Sequence, residues 1–278
     1  MNFHSSPRDK GNVGSASTRS TLARGLEGWS GFFDDHPRLL AVFFGALTVF
    51  PLLFWTQFWG TNDDAGLSDI AGGTDLGSPS ANLIFLHVAM GLLLKGLYHL
   101  STSVNWYYMM HMVILIVSFT AIAYVVLQRQ ELSRLLRIAL LTLVFFPGVV
   151  VLMQSLQFTQ TAFVAAAAGA AIWLGMSGTW KTLVLGTPFW LLAYLVRFSS
   201  FQGAVAISLP FLLVAAFRNG PKWLLIGFIL LGGIYLGGDV FEQIYYYGDD
   251  ARQEYVEFNE ARGQLHSTPR LTGLESDG

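Results

Sequence analysis

Two charge-free, predominantly apolar runs, Leu39 to Phe58 and Ile138 to Phe158, set the pattern of this chain. A helix needs about 20 apolar residues to cross the hydrocarbon core of a bilayer, and both runs reach that length. Trp106 to Leu127 matches them, and Ala162 to Met176, Leu183 to Val196, Val205 to Phe217 and Trp223 to Leu236 are shorter cores whose ends extend to spanning length. The pattern predicts an all-α, polytopic transmembrane bundle of about seven spans, near 39–59, 106–127, 138–155, 159–176, 181–197, 201–217 and 222–239. One apolar segment, Asn82 to Leu100, departs from it. Lys95 lies inside that segment with His87 and His99 on either side, and charge in mid-bilayer is costly. It reads as a helix lying in or near the outer interface. The two runs that meet at Arg197 read as a helical hairpin with a tight outer turn at Phe198 to Gln202.

Composition agrees. Of 278 residues, 53% are hydrophobic, 14% aromatic and 12% charged, with a mean hydropathy of +0.49. Soluble domains average about 25% charged residues, so a soluble reading is excluded. A net charge of −2 with no large basic patch excludes nucleic acid as a partner. The absence of cysteine excludes a disulfide framework, a thiolate metal site and a cysteine nucleophile, while saying little about compartment.

Charge between the spans orients the chain, because loops rich in Lys and Arg stay in the cytoplasm. Arg8, Lys10, Arg19, Arg24 and Arg38 place the N-terminus inside, where residues 1–38 read as a disordered tail, with a weak amphipathic signal over Leu22 to Phe33. Gly60 to Asn82 holds Asp63, Asp64, Asp69 and Asp75 but no Lys or Arg, and belongs outside. Arg129, Arg134 and Arg137, then Lys181, then Arg218 with Lys222, mark inside turns. The alternation closes only if Asn82 to Leu100 does not cross. The bundle then occupies 39–239, including an outer loop at 60–105, and an acidic outer segment occupies 240–278. The chain is expected in the cell membrane, with its C-terminus outside.

The candidate chemistry lies in the first outer loop. Adjacent carboxylates at Asp63 and Asp64, where a span leaves the bilayer, suit a general base and its electrostatic partner. The plain alternative is a hydrophilic stop that ends the span. Arg197 stands outside against the positive-inside bias, and a guanidinium suits bidentate phosphate contact, though a snorkelling Arg that anchors a helix end fits too. Phe158-Thr159-Gln160-Thr161 reads as a helix start with Thr159 as its cap, or as polar groups that satisfy a buried cavity, and Ala165 to Ala171 as a small-residue face for close packing. Tyr255, Phe258 and Arg262 fall on one helical face in the tail. His87, Lys95, His99 and His111 have no metal-ligand spacing, and no metal ligand is assigned.

One span, an acidic outer loop, an interfacial helix and then a bundle of spans resembles the GT-C superfamily of membrane glycosyltransferases. The residues that carry the likeness are Asn62-Asp63-Asp64, Gly73, Gly77-Ser78-Pro79, Leu83-Ile84-Phe85, Leu97-Tyr98, Trp106-Tyr107 and Phe258-Asn259-Glu260-Ala261-Arg262. It covers roughly residues 39 to 262, through short and degenerate motifs. The resemblance implies Asp63 or Asp64 as catalytic base. Asn62, Arg197 and Lys95 are grouped with them as substrate-binding residues, Arg197 through topology alone. It also implies a polyprenyl-phosphate sugar as donor and a cell-envelope glycan or lipid as acceptor. A divalent metal is compatible with the acids but not demanded by them. Such enzymes usually continue with more spans or an outer domain, so the chain reads as a truncated or split member. Two rival readings need no glycosyl transfer: a transporter or flippase for a lipid-linked sugar, and a non-catalytic membrane scaffold.

Overall fold

The computed structural model describes residues 36–49, 58–59, 62–74, 77–175, 179–219, 221–248 and 250–267. The expected tail before residue 36, its surface helix, the second half of the first apolar run and the last residues of the acidic segment lie outside these. The described chain is mostly helical. Four of its helices are long and apolar enough to cross a membrane: Trp106–Gln128, Phe158–Gly175, Phe198–Ala215 and Leu225–Tyr247. Pro37–Leu47, Val88–Leu100 and Trp180–Val196 are apolar but shorter.

In chain order the elements are α1 (Pro37–Leu47), β1 (Phe58–Trp59), α2 (Asn62–Gly72), α3 (Val88–Leu100), α4 (Trp106–Gln128) and α5 (Arg134–Val144). A π-helical turn (Phe145–Val149) and α6 (Val150–Gln154) follow, then β2 (Ser155–Leu156) and α7 (Phe158–Gly175). The chain ends in α8 (Trp180–Val196), α9 (Phe198–Asn219), α10 (Pro221–Tyr247) and α11 (Asp250–Ser267). The stretch predicted as a span at 138–155 is instead divided into α5, the π turn and α6, none of them long enough to cross by itself, and α5 is started by the Ser133 hydroxyl accepting from Leu136 N–H at 3.3 Å. Pro147 lies within the π turn, where its missing N–H breaks the regular ladder.

Opposite ends of the bundle differ in character. At one end β1 pairs in parallel with β2, Phe58 opposite Ser155, which ties the start of α2 to the start of α7. At the other, Arg129 donates to the Leu174 carbonyl at 2.7 Å and Arg137 to the Leu127 carbonyl at 3.0 Å, satisfying carbonyls near the C-termini of α7 and α4. Helix α3 does not run between these ends. It has 13 residues, about 20 Å of rise, against the roughly 30 Å of a hydrocarbon core. Its N-cap, His87, donates its backbone N–H to Leu195 at the end of α8, and Tyr98 in its last turn bonds Asn105, the N-cap of α4. Both termini of α3 therefore meet the β1–β2 end.

Two sequence boundaries shift. The turn expected at Phe198 to Gln202 is Arg197 alone: it closes α8 in extended backbone (φ −158°), and its carbonyl accepts from Phe201 N–H at 3.1 Å. Rings replace the missing loop, with Phe201 edge-on to Trp190 and to Tyr194. Helix α10 runs through the expected boundary at 239 to Tyr247, and α11 turns back so that the Tyr255 hydroxyl donates to the Asn82 carbonyl at 2.9 Å.

The core runs through Leu83, Leu94, Tyr107, Phe158, Trp190 and Val196, with a second part around Leu115, Phe119 and Leu141. Outward positions remain apolar: Ile229 is 64% exposed and Phe211 62%, a surface suited to lipid rather than water. The small-residue face of α7 packs on α8 as its composition requires. Ala165, Ala166 and Ala168 are buried, and a Cβ on Gly169 would lie 2.9 Å from the Trp190 ring, while one on Gly186 would run into Trp173. Gly186→Val is expected to lose about 1–3 kcal/mol through overpacking, read as a lower Tm of the detergent-solubilised protein. An unchanged Tm would show that these helices are not so closely apposed.

Candidate functional site

The two adjacent acids have opposite environments. Both lie in the first turn of α2, where carboxylates are favoured by the helix dipole. Asp64 is fully buried: its Oδ1 accepts from Phe158 N–H at 3.0 Å and from the Tyr107 hydroxyl at 3.2 Å. Phe158 opens α7, so this carboxylate, 94 residues away in sequence, provides the cap that the sequence reading gave to Thr159. The Thr159 carbonyl instead accepts from the Ser200 hydroxyl at 3.1 Å, joining α9 to α7. The N-termini of two helices face the Asp64 charge, which locks α2, α4 and α7 together.

Asp63 is exposed and makes no hydrogen bond among the described residues. Its charge acts through space on Arg197. The Arg197 guanidinium carbon lies 4.5 Å from the Phe85 ring centroid and 4.9 Å from that of Phe158, two rings stacked at 5.4 Å. Nε donates to the Ser199 hydroxyl at 3.0 Å. Burial lowers the pKa of half-buried Arg197 and the Asp63 charge raises it.

Three of the sequence candidates thus share one corner of the bundle: Asp64 as anchor, Asp63 and Arg197 as presented charges. Asn62 opens α2, but its side chain lies outside the described part. Lys95 is half-buried in α3 and makes no hydrogen bond or ion pair among the described residues, so it does not join the group. The sequence reading gave no role to Tyr107, which orients Asp64, or to Phe85, which carries Arg197. Both stand among the residues that carry the family likeness, but only their tertiary partners give them a role. Among the described residues no group of three or more His, Asp or Glu side chains is placed to hold a metal ion.

The corner offers an exposed carboxylate, held in place by its anchored neighbour, and a cation on an aromatic platform suited to an oxyanion. No family model, curated protein or solved structure matches the chain.

Proposed function

We propose that the chain is an integral-membrane glycosyltransferase that moves a sugar from a polyprenyl-phosphate donor to a glycan or lipid acceptor at the outer face of the cell membrane. The observation that carries this reading is that exposed Asp63 and Arg197, the latter on the Phe85 and Phe158 rings, share the end of the bundle away from the basic turns. By the positive-inside bias that end lies outside. Helix α3, with both termini at that end, then lies along the outer interface, and the donor's lipid tail lies in the bilayer beside the bundle.

In this reading Asp63 takes the proton of the acceptor hydroxyl as its oxygen attacks the anomeric carbon. The bond from that carbon to the phosphate oxygen breaks with inversion, and the lipid phosphate leaves with the bonding electrons. Arg197 stabilises the charge that grows on that phosphate. Asp64 touches no reactant; it fixes the turn that presents Asp63. The proposal is tested by incubating membranes that contain the chain with a radiolabelled polyprenyl-phosphate sugar. Label is expected to move into acceptor material only where the chain is present. Labelled donor that crosses the bilayer of proteoliposomes intact would instead establish a transporter.

A further inference from the structure

A cavity of about 180 Å³ opens beside Arg197, where the start of α3 meets α8, α9 and α10. That is roughly ten times the space one water needs. Phe85, which carries Arg197, lines it, as do Tyr194, Phe198 and Tyr235, with Phe198 and Tyr235 stacked at 5.5 Å. Asp239 and Glu242, one turn apart on α10, are its acids. His87 accepts from Ala89 N–H at Nδ1 and meets the Gly238 carbonyl at 3.0 Å through Nε2, so both ring nitrogens are engaged. Glu242 accepts from Val88 N–H at 3.2 Å and Asp239 from the Gln243 amide at 2.9 Å, which leaves both with further lone pairs. The walls thus combine aromatic rings and carboxylates with the aliphatic Ile84 and Leu86, and hold no Lys or Arg.

An anion would be repelled here, and a neutral hydroxylated ligand would leave the carboxylates uncompensated. An ammonium group satisfies both features, because it pairs with carboxylates and is attracted to ring faces. Arg197 lies over the Phe85 ring, which also lines this cavity, so that cation and anion subsites share Phe85. We propose that the cavity receives the ammonium group of a phosphate-linked ligand, an amino sugar or an ethanolamine head group, whose phosphate rests at Arg197. The inference deepens the reading above and rests on its assignment of Arg197 to phosphate. Gly238 keeps the cavity in shape, since a Cβ there would run into the Tyr194 ring.

The test is calorimetric titration of the purified full chain in phosphatidylglycerol nanodiscs with glucosamine 1-phosphate, N-acetylglucosamine 1-phosphate and phosphoethanolamine. The two amines are expected to bind about tenfold or more tighter than the acetylated sugar, the size of a charged hydrogen bond. The tighter of the two tells whether the source is a sugar or a lipid head group. Asp239→Asn should remove most of that preference without weakening the acetylated probe; its only described partner, Gln243, is on its own helix, so the variant retains the fold. Equal binding of amine and acetylated forms, no binding of any probe, or a preference that survives Asp239→Asn with Glu242→Gln would overturn the inference. Arg197→Gln separates the two assignments. It should weaken all three probes alike, and unchanged binding would remove Arg197 from the phosphate while the amine preference, if still present, keeps the ammonium subsite.

Discussion

Asp63→Asn is expected to lower sugar transfer about 10²- to 10⁴-fold, the usual contribution of a general base, while leaving the Tm of the solubilised protein unchanged. The side chain is exposed and makes no hydrogen bond among the described residues, so its loss disturbs no packing. Asp64→Ala should show the reverse pattern. It leaves the buried Phe158 N–H and Tyr107 hydroxyl without their acceptor and removes a charge that faces two helix N-termini. Those losses amount to about 2–5 kcal/mol of stability, so a large fall in Tm accompanies any loss of transfer. Transfer and thermal unfolding measured on both variants separate the roles. If Asp64→Ala kept full stability, or Asp63→Asn kept full transfer, the division between anchor and base would be wrong.

Arg197→Gln is expected to lower kcat/KM for the lipid-phosphate donor about 10- to 100-fold, the worth of one or two hydrogen bonds to a charged group. In the proposed transfer the phosphate gains charge as it leaves, so kcat should fall along with the rise in KM. Arg197→Lys should recover only part of the loss, since an ammonium keeps the charge but not the planar contact with the Phe85 ring or the bidentate fork. Steady-state kinetics with varied donor gives the result. An effect on stability alone, with kcat/KM intact, would leave Arg197 as a helix-end anchor.

The rods of the bundle were legible in the sequence because lipid-facing helices must be apolar over a length set by the bilayer. Trp106–Gln128 and Phe158–Gly175 begin and end within a residue of the predicted spans. Helix α3 begins at Val88, six residues after the start the apolar run suggested at Asn82, and Lys95 sets it apart from the longer apolar helices. What the sequence did not show depends on tertiary partners. Thr159 has the residue type of a cap, yet a carboxylate 94 residues away takes that place, because local propensity says nothing about a distant acceptor. The turn at Arg197 is shorter than expected because edge-on ring contacts, not a loop, join the two helices. In the same way, Asp63 and Asp64 are indistinguishable in sequence, and only burial separates them.

The most direct measurement is mass-spectrometric detection of polyprenyl phosphate released by the purified protein from a synthetic polyprenyl-phosphate sugar, in the presence of envelope acceptor, for wild type and Asp63→Asn. The wild type is expected to release one polyprenyl phosphate per sugar transferred, and the folded variant almost none. Equal release by both, or a donor that stays intact with the wild type, would contradict the proposed transfer.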